Sequence, residues 1–123
     1  MLAFLQASPV LDESVIAAIR ALAAPGDGDL FADIAEVFLA DVPVQMLALH
    51  AAVAGNDLDA AWRLGHQLRG SALGIGAARM TVCCQALELA ARAGSMSTLA
   101  VEVSQLDREV ALARLQIERL IRS

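Results

Sequence analysis

Apolar residues recur along this chain at intervals of three, four and seven, the spacing of one face of an α-helix, and show no period-two alternation of a strand. The spacing predicts five helices, over residues 12–24, 28–54, 58–73, 77–93 and 96–121. The first places Leu11, Val15, Ile19 and Leu22 on one side and should stop at Pro25-Gly26. The second aligns Phe31, Ile34, Phe38, Val42, Leu49 and Val53, with Asp27 as the expected N-cap. Pro43 lies inside it. The ring displaces the bond to the carbonyl of Leu39, which predicts a kink around residues 39–43 rather than a full stop.

The third helix, capped by Asp57 after Gly55-Asn56, turns Leu58, Ala61, Gly65, Leu68 and Ala72 inward. Gly74 is expected to close it in the left-handed conformation just past the end. The fourth buries Met80, Cys84, Leu87 and Ala91 and ends at Gly94. The fifth carries Leu99, Val103, Leu106, Val110, Ala113, Ile117 and Leu120 inward, with Arg114, Glu118 and Arg122 outward at i, i+4 spacing. Four long amphipathic helices on short links must reverse direction at each link. The expected fold is all-α, an antiparallel up-down-up-down four-helix bundle with the short first helix covering one end.

Composition narrows this further. A chain of 123 residues suits a single domain with one core, and its small apolar side chains suit a bundle interior. The formal net charge is −5 and every base is an arginine. An acidic chain without basic runs is not built for general nucleic-acid binding. The charge is uneven, with seven acids and one base from Asp12 to Asp41. From Leu64 to Ala93 there are three arginines and a single acid, Glu88, so positive potential gathers in the middle of the chain.

Cys83 and Cys84 are adjacent, a poor geometry for a structural disulfide, which points to packing roles and a reducing compartment such as the cytoplasm. The opening Met1-Leu2-Ala3-Phe4-Leu5 lacks the cationic start of a signal peptide. The longest uncharged run, Val42 to Asn56, falls short of the roughly 18–20 apolar residues that span a bilayer, so direct membrane insertion is not expected.

His66 carries the candidate chemistry. It is turned about 100° from Gly65 on the third helix, off the core stripe and onto another made by Asp59, Trp62, Arg63, Arg69, Gly70 and Leu73. Guanidinium groups therefore flank it at i−3 and i+3. At i+4 stands Gly70, which costs about 1 kcal/mol of helix propensity relative to alanine and would bare one edge of the ring. An imidazole, largely neutral at physiological pH, is a competent nucleophile without an auxiliary base. Phosphoryl transfer needs in-line approach and cations to neutralise the equatorial oxygens, which Arg69 directly and Arg63 at longer range can supply. On spacing alone, a surface histidine among solvated arginines is an equal reading.

The run His66-Gln67-Leu68-Arg69-Gly70-Ser71-Ala72, followed by Leu73-Gly74-Ile75-Gly76-Ala77, resembles the signature of histidine phosphotransfer (HPt) domains. The similarity extends through Phe38, Asp41 and Pro43 on one side and Met80, Cys84, Leu87, Glu88 and Gly94 on the other. The resemblance implies a phosphorelay carrier without autonomous kinase activity, phosphorylated on a ring nitrogen of His66. It implies Arg69 as phosphate stabiliser, where the family usually has lysine, and Gly70 as the residue giving access. It also implies that Gln67, Gln85 and Glu88 could reach the ring or phosphate through water.

The implied partner is the receiver domain of a response regulator or hybrid histidine kinase. The receiver brings the aspartate and the magnesium, so no cofactor is expected in this chain, which should act as a monomer in the cytoplasm or on the cytoplasmic side of a membrane. Leu30, Val37 and Asp41 of the second helix form a candidate docking patch with Trp62 and Leu73. Arg63 and Gln67 extend its polar rim. Leu30 and Val37 could equally pack on the first helix, and Trp62 could flank the core.

Other motifs fall short. Gly74-Ile75-Gly76 follows a helix rather than a strand, there is no phosphate loop ending in Gly-Lys-Ser/Thr, and Ser71 lacks the glycines of a nucleophile elbow. Neither His50 nor His66 has the Glu-x-x-His spacing of a bundle di-metal site. His50 is expected to serve as a helix-end cation. Two further readings stay open: a helical module that docks without being phosphorylated, and a kinase dimerisation domain that completes its bundle with a second chain.

Overall fold

The computed structural model describes residues 7–122 and holds no strand among them. The helices are α1 Glu13–Ala21, α2 Leu30–Ala54, α3 Leu58–Ile75, α4 Ala78–Ala93 and α5 Met96–Arg122. The opening stretch Met1–Leu5, read above against a signal peptide, lies outside the described residues.

Each boundary has a local cause. Asp12, Asp29 and Asp57 cap α1, α2 and α3, each carboxylate accepting from a backbone amide of the first turn. The expected cap of α2 is corrected from Asp27 to Asp29, whose Oδ1 lies 3.1 Å from the Ala32 amide. Asp27 turns back instead and accepts from the amide of Ala24. That turn follows an earlier end to α1 than Pro25-Gly26 would give. The helix stops at Ala21, and Leu22, expected on its inner side, is 79% exposed while Ile16 takes the buried place.

The left-handed close of α3 is Gly76, with φ 81°, and not Gly74. The helix gains by running on: Ile75 becomes fully buried, and the Ala77 amide returns to the carbonyl of Ala72 at 2.9 Å. Gly76 is also held by space, because a Cβ there would stand 2.9 Å from Cβ of Val15 on α1. Its carbonyl accepts from Asp12 at 2.7 Å, tying the start of α1 to the α3–α4 link. Gly94 ends α4 in the same left-handed conformation, and Asn56 takes it between α2 and α3.

One core unites the five helices, with Phe31, Leu49, Leu68, Ile75, Met80, Leu87, Leu99, Leu106 and Ile117 fully buried. Ile34, Val53, Leu58 and Leu120, expected inside, sit half-buried at its edge. The packing forms a ring, α2 on α3, α3 on α4, α4 on α5 and α5 on α2, with α1 against α2. Crossties reinforce it. His50, near the end of α2, bonds Asp107 of α5 at 2.9 Å. Arg79 of α4 reaches the buried Glu109 of α5 at 2.8 Å.

Helix α2 runs unbroken through Pro43 and is long and apolar enough to cross a membrane by length and composition alone. Its core stripe (Phe31, Ala35, Phe38, Val42, Met46, Leu49 and Ala52) is buried against the other helices. Both cysteines are buried and unpaired. Loss of hydration pushes the Cys83 thiol up to about 12 and the Cys84 thiol upward as well, so both remain protonated packing groups.

Candidate functional site

His66 stands on α3 with 54% of its side chain exposed, and three neighbours fix it. Glu88, one residue past the buried Leu87 on α4, places Oε1 3.0 Å from the imidazole Nδ1. Arg69, one turn after His66, brings Nη2 to 3.0 Å from the same nitrogen. The Arg69 Nε also lies 3.3 Å from Glu88 Oε2, so the carboxylate bridges ring and guanidinium. Trp62, one turn before His66, stacks on the imidazole with centroids 5.3 Å apart and planes 11° from parallel.

Hydrogen-bond chemistry favours one tautomer of the neutral ring. A guanidinium only donates and a carboxylate only accepts, so Nδ1 serves either Arg69 or Glu88, never both at once. Glu88 is 11% exposed at its side chain and needs donors for both oxygens. Arg69 faces Oε2 as an ion pair, and a proton on Nδ1 gives Oε1 its hydrogen bond. That tautomer leaves the lone pair on Nε2, for which no polar partner stands among the described residues.

The glycines around the ring have different duties. A Cβ on Gly65 would come within 2.7 Å of Leu87 Cδ2, so this glycine lets α4 approach α3. A Cβ on Gly70 would meet nothing within 4 Å. Packing does not require Gly70. It lines a groove of about 400 Å³ between α2 and α3, together with Asp33, Val37, Phe38 and Asp41. His66 itself lies in the neighbouring furrow between α3 and α4, with Trp62, Arg69, Gln85, Glu88 and Arg92. The open space at Gly70 is thus on the α2 side of the site.

Of the remaining predicted residues, Val37 and Asp41 line the first depression and Trp62 the second. Val37 and Leu73 are 60% and 58% exposed, and Asp41 and Gln67 are also exposed. Leu30 is half-buried and packed on the core, as is Trp62. Arg63 is exposed and lines a third depression, with Asp59 and Arg92, rather than bonding the ring.

Sequence reasoning gave Glu88 a loose, water-mediated role, whereas it contacts the ring directly. The available signal was its isolation, as the single acid in a positive stretch. Arg92, whose guanidinium carbon lies 5.1 Å from the Trp62 ring centroid, was visible only as one of the arginines of that stretch. Among the described residues no group of three or more His, Cys, Asp or Glu is placed to hold a metal ion.

Comparison with known proteins bears on the family and the fold. The family model of the Hpt domain matches residues 33–118, from the start of the α2 groove almost to the end of α5. The fold is similar to the crystal structure of histidine-containing phosphotransfer protein B (HptB) from Pseudomonas aeruginosa PAO1. That likeness has a TM-score of 0.82 at 25% identity, covering 90% of this chain and 93% of the other. No curated protein matches the sequence. With an exposed imidazole in the polar setting described, and the family's pattern over the greater part of its length, the chain belongs to the Hpt domain family, whose role is histidine phosphotransfer in phosphorelay signalling.

Proposed function

We propose that His66 is the phosphoacceptor and that the chain relays phosphate to and from the aspartate of a receiver domain. The observation that carries this reading is an exposed ring whose Nδ1 is held by a buried carboxylate, with no polar partner for Nε2 among the described residues. In the forward step the Nε2 lone pair forms the N–P bond. The P–O bond to the receiver's aspartate breaks, and its electron pair leaves on the carboxylate. The Nδ1 proton stays with the ring. The phosphorylated imidazole then carries a formal positive charge that Glu88 offsets, while Arg69 donates to the phosphoryl oxygens.

Gly70 keeps the surface low between the ring and α2, so that a receiver's active-site loops can close over His66. Val37, Asp41 and Leu73 give that surface apolar contact and a polar rim, with Trp62, Arg63 and Gln67 on its other side. Leu30, half-buried, supports the patch from below. The receiver supplies the magnesium, and this chain carries phosphate without turning over ATP.

The ring of helix contacts and the two- or three-residue links support an up-down-up-down course for α2 to α5, with α1 over one end. The helices act as one unit, as a monomer on the cytoplasmic side. Four long helices sharing one core within a single chain support this over a dimerisation domain that borrows two.

Incubation with a phosphorylated receiver and magnesium tests the proposal. An acid-labile, base-stable adduct should form on the wild type and be absent from His66→Gln. Labelling that survives this change would overturn the assignment, and receiver binding without any adduct would favour a docking module.

A further inference from the structure

The stack of Trp62 on His66 is not required by the core. Trp62 is half-buried, packed at the core's edge, and its remaining surface lines the furrow that holds the imidazole. The rings are 11° from parallel at i, i+4 spacing, and Arg92 of α4 stands over the same indole, 5.1 Å from its centroid. The indole is thus fixed from a second helix while it lies along the imidazole.

The two states of His66 differ in what they offer an indole. In the Nδ1–H tautomer the free ring carries no formal charge. Phosphorylated on Nε2 with the proton kept on Nδ1, the ring has a formal positive charge beside a phosphoryl group that carries two negative ones. A π face attracts a cation more than a neutral ring, so the stack strengthens when phosphate arrives.

We infer that Trp62 is a positioning residue that holds the imidazole plane and selectively stabilises its phosphorylated form, lengthening the life of the phosphohistidine. This rests on His66 being the phosphoacceptor. In hydrolysis, water supplies the oxygen that bonds phosphorus, and the N–P bond breaks with its electron pair returning to Nε2. Dihydrogen phosphate leaves and the ring becomes neutral again. The positive charge fades as that bond breaks, so the indole favours the starting state over the transition state and raises the barrier. The same preference shifts exchange with a receiver toward His66.

The chain has one tryptophan and no tyrosine, so its emission reports this stack alone. A cationic imidazole accepts an electron from an excited indole and quenches it.

The test uses phosphoramidate, a small donor that needs no docking surface, on the wild type, Trp62→Phe, Trp62→Leu and His66→Gln, with circular dichroism to check folding. Trp62→Leu should lose its base-stable label about three- to tenfold faster than the wild type at neutral pH, while Trp62→Phe stays within about twofold. Wild-type emission should fall on labelling and recover at the rate of label decay. Equal decay of folded Trp62→Leu and wild type, or emission indifferent to labelling, overturns the inference; the emission result decides it even if Trp62→Leu does not fold. A label retained by His66→Gln would instead overturn the phosphoacceptor assignment beneath it.

Discussion

Gly65 of α3 meets Leu87 of α4 so closely that a methyl group on the glycine would lie 2.7 Å from Leu87 Cδ2. Leu87 is fully buried and has little room to give way. The next residue on each helix is part of the site, His66 after Gly65 and Glu88 after Leu87. The spacing that Gly65 permits therefore brings a carboxylate within 3.0 Å of the imidazole. A core contact sets the chemistry of a surface residue.

Gly65 and Gly70 should respond to alanine in opposite directions. Gly65→Ala forces Leu87 aside and should destabilise the fold by about 1–3 kcal/mol. Gly70→Ala meets open space and should stabilise α3 by up to about 1 kcal/mol, yet slow transfer from a receiver. Urea denaturation with a transfer assay on both variants checks the pair. A destabilised Gly70→Ala would mean that the glycine serves packing after all.

Glu88 should matter through an acceptor oxygen more than through its charge. Removing it leaves Nδ1 to accept from Arg69, which moves the ring proton to Nε2 and blocks the nucleophile. Glu88→Ala should lower the initial rate of phosphoramidate labelling by about tenfold or more. Glu88→Gln keeps an acceptor oxygen and should retain much of the rate. Equal loss in both variants would point to charge alone.

Val37 separates docking from chemistry. It is exposed on the α2 side of the site, so Val37→Asp should leave stability within about 0.5 kcal/mol. Transfer from a receiver should fall by roughly tenfold while phosphoramidate labelling is unchanged. Unchanged transfer would remove this side of the groove from the interface.

The helices and most core positions were legible because burial repeats with the helical period, and Phe31, Leu68, Leu87 and Leu106 all stand where the spacing puts them. The ends were less so. Asp27 and Asp29 are equally good caps in isolation, and only the early stop of α1 at Ala21 leaves Asp27 to bond Ala24. Gly74 and Gly76 are equally good terminators until the burial of Ile75 and the approach of Val15 choose between them. In the site, His66, Arg69 and Trp62 share one helix, so their adjacency follows from spacing of three and four. Glu88 and Arg92 come from α4, and their contacts with the ring and the indole depend on a packing distance that Gly65 sets.

The buried thiols give a pH dependence. Burial, the largest cause, raises the Cys83 thiol to about 12 and raises Cys84 too, so both are protonated in the folded chain at pH 8. Alkylation by iodoacetamide should be slow in the native protein and fast in denaturant. Above the ordinary thiol range near pH 8.5 the unfolded chain holds fewer protons than the folded one. Stability contributed by these groups is complete below that range and is lost as pH rises toward 12. Rapid native alkylation would contradict the sealed core.

Heteronuclear magnetic resonance of the phosphorylated protein, with nitrogen-15 in its histidines, reads most directly which atom carries the phosphate. Phosphorus coupling should appear at Nε2 of His66, with the proton retained on Nδ1 beside Glu88. Coupling at Nδ1, or a phosphate on His50 or any other residue, would contradict the presentation of the ring described above.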